Sequence, residues 1–264
     1  MGYNAEVIAD SVSERGHRLT TLEATFPRIV LSEFNTHRVL SRNSASSRAI
    51  PVAKQLERIK NDPYIPEYWG KNQPGMKAYE QLGAAGIAAA KSEWLHARDA
   101  AVTSAEKLLD IGLHKQLANR ILEPFAWHTV LVTATEWNNF YALRANPDAQ
   151  PEIRTIAEQM QDAMNGSTPK LLKEGEWHLP LIQPDEFNGM FEHTEAAQQI
   201  SSGRSARVSY MTHHGIRDKA KDIELYDSLR TGGHMSPLEH VARPFTPGEW
   251  AVREAMAERV QTMA

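Results

Sequence analysis

The chain of 264 residues contains no cysteine. Disulfides, thiolate metal sites and every mechanism that begins with a cysteine nucleophile are therefore excluded. Long hydrophobic runs are also missing, because the longest apolar stretch, residues 82–90, is far shorter than the roughly 20 residues needed to span a bilayer. The first residues show neither a basic nor an apolar segment of the kind found in secretory signals. We therefore expect a cytoplasmic protein with no membrane partner.

Neither sign of charge is in large excess, since 29 lysines and arginines stand against 33 aspartates and glutamates, with a formal net charge of -4. Such a surface does not attract nucleic acid or an anionic membrane over a broad face. Any anion-binding site must therefore be local. Hydrophobic residues make up 41% and charged residues 23% of the chain, which is typical of a globular protein with a substantial core.

The pattern of apolar residues predicts more helix than strand, and therefore an α+β fold. Alternating residues predict a hairpin over 5–26, and a second β-rich run predicts a strand over 127–133. A hydroxyl-rich loop is expected at 41–48 and a linker at 179–189. Helices are predicted over 27–40, 76–109, 115–122, 135–144 with Thr135 as its cap, 153–164, 194–201 and 218–229, and after Pro247.

The strongest local signal is the segment 36–48, which holds one histidine, four serines and three arginines, Arg38, Arg42 and Arg48. Forked guanidinium donors and short hydroxyl donors just past a helix suit a phosphate group. A solvated polar loop has the same composition. The segment alone therefore leaves both interpretations open.

A second signal is the segment 233–240. A metal site built from His234, Glu239 and His240 would require a spacing that matches no helical two-histidine pattern, so we predict no metal. Structural hydrogen bonds are the better interpretation for Glu239 and His240. His234 could lie flat against an aromatic ligand.

A third polar segment, 138–152, places Asn139 and Arg144 in an aromatic-rich helix, where an arginine is often only a snorkelling side chain.

Taken together, the three polar segments resemble the flavin-dependent thymidylate synthases. That family has a helix ending in Leu-Arg-Ala followed by Ala-Gln-x-Glu-Ile, similar to 143–145 and 149–153 here. Its Ala-Arg-Val-Ser-Phe and Gly-His-x-Ser/Thr-Pro-Phe-Glu-His blocks look like 206–210 and 233–240.

The resemblance centres on the family signature Arg-His-Arg-x-x-Ser-x-Asn-Glu-x-Ser-x-Arg-Tyr, to which residues 36–49 align. Six signature positions are kept: His37, Arg38, Ser41, Asn43, Ser46 and Arg48. Thr36, Ser44 and Ala49 replace the first arginine, the glutamate and the tyrosine. The blocks at 206–210 and 233–240 precede the signature in the ordinary family but follow it here. This order resembles a circular permutation, which a surface location of the termini would tolerate; alternatively, the C-terminal module docks from a neighbouring subunit.

The resemblance implies a single family domain over 1–264, with a signature and helical part at 1–178 and a permuted part at 190–264. It implies an FAD-dependent enzyme that methylates C5 of dUMP to give dTMP without an enzyme nucleophile. Methylenetetrahydrofolate would supply the carbon and NADPH the reducing equivalents, in a homotetramer whose sites are shared between subunits. Two alternatives stay open: hydroxymethylation or methylation of dUMP or dCMP for modified nucleotides, and a catalytically silent nucleotide-binding or RNA-binding protein.

Carried over position by position, Arg144 would bond the pyrimidine ring and favour its ionised form, which makes C5 nucleophilic. We take it as the catalytic residue. The expected cofactor contacts are Thr36, His37, Arg38, Asn43, Asn139, Ser209, His234 and Ser236. The expected substrate contacts are Glu33, Ser44, Ser46, Ser47, Arg48, Arg120 and Arg144.

The departures from the family pattern also carry predictions. Thr133 and Thr135 stand where the family has asparagine and arginine near the flavin, so flavin binding is expected to be altered. Because threonine cannot replace forked guanidinium donors at position 36, Arg42 or Arg207 could compensate. Glu33 replaces a glutamine, and its carboxylate could accept a hydrogen bond from the amino group of cytosine, which is the motive for considering dCMP.

Overall fold

A central sheet organises the fold of this computed structural model, which describes residues 2–186, 194–208 and 217–253. The strand order is β3-β4-β2-β1-β5, and only the β1 and β5 pair is parallel. The strands are β1 (Asn4–Ser13), β2 (Arg18–Pro27), β3 (Ser41–Ser44), β4 (Trp127–Ala134) and β5 (Lys170–Leu172). The hairpin predicted at 5–26 and the strand predicted at 127–133 are confirmed as β1 with β2 and as β4.

Helices surround this sheet, and the predicted α+β class is confirmed. They are α1 (Leu31–Asn35), α2 (Val52–Asn61), α3 (Ala84–Asp110), α4 (Lys115–Ala118), α5 (Asn138–Arg144), α6 (Pro151–Asn165), α7 (Glu195–Ser205) and α8 (Lys219–Thr231). The side chains of Thr194 and Asp218 cap α7 and α8 by accepting from backbone N–H groups in the first turn. Among the residues described, every helix is too short or too polar to cross a bilayer.

The region that follows β2 differs from its prediction. The helix expected over 27–40 is wrong, because a single 3₁₀ turn and the short helix α1 end at Asn35. The chain then makes two tight turns and enters β3, where a loop was predicted at 41–48. Arg42 pairs with Val132 and Asn43 with Leu131, so β3 covers the edge of β4. An uncovered edge strand would leave backbone donors and acceptors without partners.

Three further helix predictions need correction. The long helix begins at Ala84 rather than at residue 76, because an isolated bridge joins Gly70 to Gln81 before it. The helix expected at 115–122 ends at Ala118 and continues as a 3₁₀ turn. Thr135 does not cap α5, which begins at Asn138 after Trp137.

The two faces of the sheet are covered differently. On one face, α5 and α6 enclose the main hydrophobic core around the fully buried Phe26, Phe34 and Phe140. On the other face, Leu131 of β4 packs against Leu181, Val208 and the partly buried Ile8 and Ala45, beside buried polar side chains. The apolar face therefore fixes α5, which carries Arg144, against the sheet.

The C-terminal segment packs on the sheet of its own chain. The backbone of His178 pairs with that of Ala242, and the ring of His240 reaches Thr133 of β4. In α7, the buried guanidinium of Arg204 binds the carboxylates of Glu186 and Asp222. These contacts bring the 233–240 segment to β3 within one chain, while the permuted origin of the block order stays a prediction.

Candidate functional site

Arg144 lies at the last turn of α5, facing the end of α1. Its Nε donates to Nε2 of His37 at 3.0 Å, and one terminal nitrogen donates to Oγ1 of Thr36 at 3.2 Å. The same terminal nitrogen lies 3.5 Å from the backbone oxygen of Glu33. The structure therefore brings together four residues that the sequence predicted for the cofactor and substrate sites.

His37 is buried behind this arginine, with its ring edge-on to Phe140 at 5.0 Å between centroids. Because Arg144 donates to Nε2, that nitrogen must carry the lone pair, and in the neutral ring the proton sits on Nδ1. Burial and the positive charges of Arg144 and Arg42 lower the pKa of His37 below its ordinary value. The ring is therefore a neutral acceptor near neutral pH.

The charge of Arg144 is not balanced by a neighbouring acid. Within the described part of the chain, no carboxylate forms an ion pair with it, and the Glu33 contact comes from the backbone. The carboxylate of Glu33 instead accepts the hydroxyl of Ser32 at 2.8 Å. The half-buried Arg144 thus presents a cation with hydrogen-bond donors only, which suits an anionic or carbonyl-bearing ligand.

Asn43, which lies in strand β3, links this strand to the C-terminal segment. Its amide nitrogen donates to the backbone oxygen of Ser205, and its amide oxygen accepts the hydroxyl of Ser236 at 3.0 Å. A glycine turn at Gly233, with φ of 71°, ends α8 and leads directly to His234, whose side chain is exposed. The predicted cofactor residues Asn43, His234 and Ser236 thus lie in one neighbourhood.

Glu123 is a feature of the site that the sequence did not reveal. Its Oε1 accepts the hydroxyl of Ser47 at 2.7 Å and a guanidinium nitrogen of Arg120 at 2.8 Å, and it also pairs with Arg28 at 3.0 Å. Ser47 and Arg120, which were expected to donate to the nucleotide phosphate, therefore already donate to Glu123. Arg48 is exposed and makes no contact of this kind with any residue that the structure describes.

Several residues that were predicted to contact the ligands bind other parts of the protein instead. Thr133 is buried, and its Oγ1 lies 2.6 Å from Oγ1 of Thr21 and 2.7 Å from Nδ1 of His240. Thr133 therefore takes part in hydrogen bonds inside the protein. Arg42 donates through one terminal nitrogen to the backbone oxygens of Phe34 and His37, and Arg207 pairs with Asp222, so both guanidinium groups have partners within the chain.

Other predicted residues are exposed and open to a ligand. Ser44, Arg38 and Asn139 are exposed, and Arg38 forms no ion pair or hydrogen bond with the described residues. Thr135 lines a cavity of about 500 Å³ together with Asn138 and the aromatic rings of the C-terminal segment. Ser46 is half-buried, and Ser209 lies outside the described residues.

Among the residues that the structure describes, no three histidine or acidic side chains come together in the way that metal ligands do. His240 is buried against Thr133 and its Nδ1 is hydrogen bonded, as expected for a structural histidine. Burial and the nearby His178 lower the pKa of His240 to about 4. The ring is therefore neutral at physiological pH.

Comparison with known proteins gives a family match that spans most of the predicted site residues. A family model described as "Thymidylate synthase complementing protein" matches residues 10–170. No curated protein matches.

Among solved structures, the chain is similar to the UMP/dUMP methylase PolB from Streptomyces cacaoi in two complexes. The complex with 5-Br UMP has a TM-score of 0.51 and 18% sequence identity, and the alignment covers 61% of this chain and 88% of PolB. The complex with 5-Br dUMP has a TM-score of 0.52 and 18% identity, with 61% and 89% covered. At this identity the likeness establishes a common fold.

Proposed function

The chain belongs to the thymidylate synthase complementing protein family, whose members are flavin-dependent enzymes, and from this premise we propose that it methylates C5 of dUMP. In the proposed reaction FAD is the cofactor, methylenetetrahydrofolate the one-carbon donor and NADPH the reductant. The observation that carries the proposal is the geometry of Arg144, a held cation without an acidic partner among the described residues.

Arg144 favours uracil over cytosine. Uracil presents carbonyl oxygens that accept from a guanidinium, and a cation beside the ring favours loss of the N3 proton, which raises electron density at C5. Cytosine presents an amino group at the same edge, and an arginine cannot accept from it. The carboxylate of Glu33 could do so, but the atom of Glu33 that lies beside Arg144 is its backbone oxygen, while its carboxylate accepts the hydroxyl of Ser32. We therefore keep dCMP only as a comparison substrate.

The exposed residues near Arg144 fit FAD. The guanidinium of Arg38, which has no partner among the described residues, suits a diphosphate, and the exposed amide of Asn139 offers both a donor and an acceptor to the edge of a flavin ring. His234 and Ser236 would add contacts from the C-terminal segment. When bound, FAD supplies hydride transfer; the protein residues bind and orient it.

The phosphate residues support a site shared between subunits. Ser44 ends β3 and Arg48 follows it, whereas His37 precedes the other end of the strand, and four strand residues span on the order of 10 Å. Exposed apolar side chains surround the region, including Val39, Leu143 and Met235. A homotetramer would cover such side chains and bring the Arg48 region of one chain to the Arg144 region of another.

The test is analysis of the nucleotide products by mass spectrometry after anaerobic incubation with FAD, NADPH, methylenetetrahydrofolate and one nucleotide. Because the similar PolB is a UMP/dUMP methylase, UMP joins dUMP and dCMP as a substrate. We expect methylated dUMP. A hydroxymethylated product, or a product from dCMP alone, would replace the proposal by modified-nucleotide synthesis. No product from any nucleotide would favour the silent binding protein.

Variants make this test specific to the site. Arg144→Ala is expected to lower kcat/KM for dUMP by roughly 100-fold or more, because a charged hydrogen bond to the ring is lost. Arg144→Lys is also expected to be impaired, since an ammonium cannot reproduce the forked donors. Arg154→Ala is the matched control, because that guanidinium pairs with Glu158 on the surface of α6. Equal activity of Arg144→Ala and the control would exclude the assigned role.

A further inference from the structure

We propose that Thr36 and His37 form a neutral clamp that positions Arg144, so that the residue at position 36 determines how well the site holds a uracil ring. Neither residue needs to touch the nucleotide in this role. The inference depends on the proposed function only for the identity of the ligand, because the clamp itself consists of contacts within the protein.

The clamp is built from acceptors that carry no charge. Arg144 Nε is held by Nε2 of His37 at 3.0 Å, and a terminal nitrogen is held by Oγ1 of Thr36 at 3.2 Å. The Thr36 hydroxyl donates its own proton to the backbone oxygen of Glu33 at 2.6 Å. Its lone pairs are therefore left for Arg144. Carboxylate partners would fix the arginine equally well but would cancel its charge, whereas this arrangement fixes it and keeps the charge for a ligand.

A hydroxyl acceptor at position 36 is required for this geometry. An arginine there, as in the family signature, has five donors and no acceptor, and its charge would repel Arg144 at hydrogen-bond distance. The departure at position 36 is thus matched to the observed pose of Arg144. Compared with the family signature, position 36 lacks a guanidinium, and Arg144 is held in a different way.

His37 makes the clamp sensitive to acid. The groups that face its ring are Arg144 from α5, Arg42 from β3 and the ring of Phe140, and the pKa of His37 is already lowered by burial and the two cations. Protonation of Nε2 would remove the acceptor and place a third positive charge in the cluster. Arg144 would then be released, and nucleotide binding would weaken as the pH falls through the pKa of His37.

The first experiment measures dUMP affinity by calorimetry for three variants at position 36, which is exposed and tolerant of substitution. Thr36→Ser keeps the hydroxyl and is expected to bind dUMP within about threefold of the unaltered protein. Thr36→Val removes the acceptor and is expected to weaken binding roughly tenfold. Thr36→Arg is expected to weaken it at least as much. Thr103→Val on the exposed face of α3 is the control for loss of a surface hydroxyl.

The second experiment concerns His37. ¹⁵N NMR of the histidine rings is expected to show His37 neutral with its proton on Nδ1, a readout that requires no activity. The acid limb of dUMP affinity is expected to flatten in His37→Gln, whose amide oxygen can still accept from Arg144, and His37→Leu is expected to bind dUMP more weakly than His37→Gln. His96→Gln, at an exposed position of α3, should retain the limb.

The outcomes separate the clamp from the proposed function. If Arg144→Ala abolishes dUMP binding while Thr36→Val and Thr36→Ser bind equally, the clamp is wrong and the role of Arg144 stands. If His37 carries its proton on Nε2, the clamp is wrong whatever the enzyme does. If the unaltered protein binds dUMP but yields no methylated product, the proposed function fails while the clamp is still tested by affinity.

Discussion

Three of the four buried histidines that the structure describes, those whose pKa values are lowered most, should make the protein strongly sensitive to mild acid. Burial lowers the pKa of His178 and of His240 to about 4 and that of His128 to about 3, with nearby Arg28 adding to the effect at His128. In the unfolded chain each would titrate near 6.5. Between these values the unfolded state binds up to three more protons than the folded state. The free energy of unfolding therefore falls as the pH falls from about 6.5 toward 4.

The size of the effect follows from the pKa differences. Each histidine contributes up to about 1.4 kcal/mol per pH unit inside this window, so lowering the pH from 7 to 5 should cost about 2 kcal/mol for each ring and about 5–6 kcal/mol for the three. That is a large part of the 5–15 kcal/mol typical of a folded domain. The lowered pKa values of Asp10 and Glu186 add a further loss only near and below pH 4.

Urea unfolding followed by circular dichroism at pH 7, 6 and 5 measures this dependence. His240→Gln should reduce the slope of unfolding free energy against pH by about a third, while His96→Gln, whose ring is exposed on α3, should not. A total slope smaller than that of a single histidine, about 1.4 kcal/mol per unit, would refute the neutral burial of these rings.

Two substitutions test how α7 and α8 are joined. Arg204→Met removes the guanidinium that the buried carboxylates of Glu186 and Asp222 share and leaves Asp222 with Arg207, and we expect a loss of about 3–5 kcal/mol in urea unfolding; a loss below about 1 kcal/mol would contradict this. Gly203→Ala would place a Cβ on the backbone oxygen of Asp222, so we expect a loss of about 1–3 kcal/mol, whereas Gly248→Ala meets open space and should leave the unfolding midpoint unchanged. Equal midpoints for the two alanine variants would show that α8 can move away freely.

Local patterns predicted the elements that local interactions determine. The β1 and β2 hairpin follows from alternation around a turn, and α6 follows from helical spacing after Pro151. The strand β3 was missed because its residues are polar and only four long, so the sequence shows no strand period. It exists because β4, almost 90 residues later, offers it an edge. Pairing of this kind is not encoded within the segment itself.

Within the site, too, contacts between residues far apart in the sequence could not be predicted from local patterns. The signature and the Leu-Arg-Ala helix pointed to His37 and Arg144, but their direct contact joins residues 107 positions apart. Glu123 carries no motif, and its role became visible only when the fold placed it beside Ser47, 76 positions away. Thr133 was expected near the flavin from its alignment, whereas its burial against His240 depends on how the C-terminal segment packs.

Three arginines of the proposed site differ in their acidic partners from two arginines that hold the fold together. Arg18 and Arg204 each bind carboxylates at 2.6 Å and are engaged in folding. Arg38, Arg48 and Arg144 have no carboxylate partner among the described residues, although acidic residues outnumber basic ones in the chain. A shortage of acids therefore does not explain three unbalanced guanidinium groups. Because unpaired cations give up stabilising interactions, we propose that an anionic ligand, held within one chain or across a subunit boundary, supplies the missing charge at these three positions.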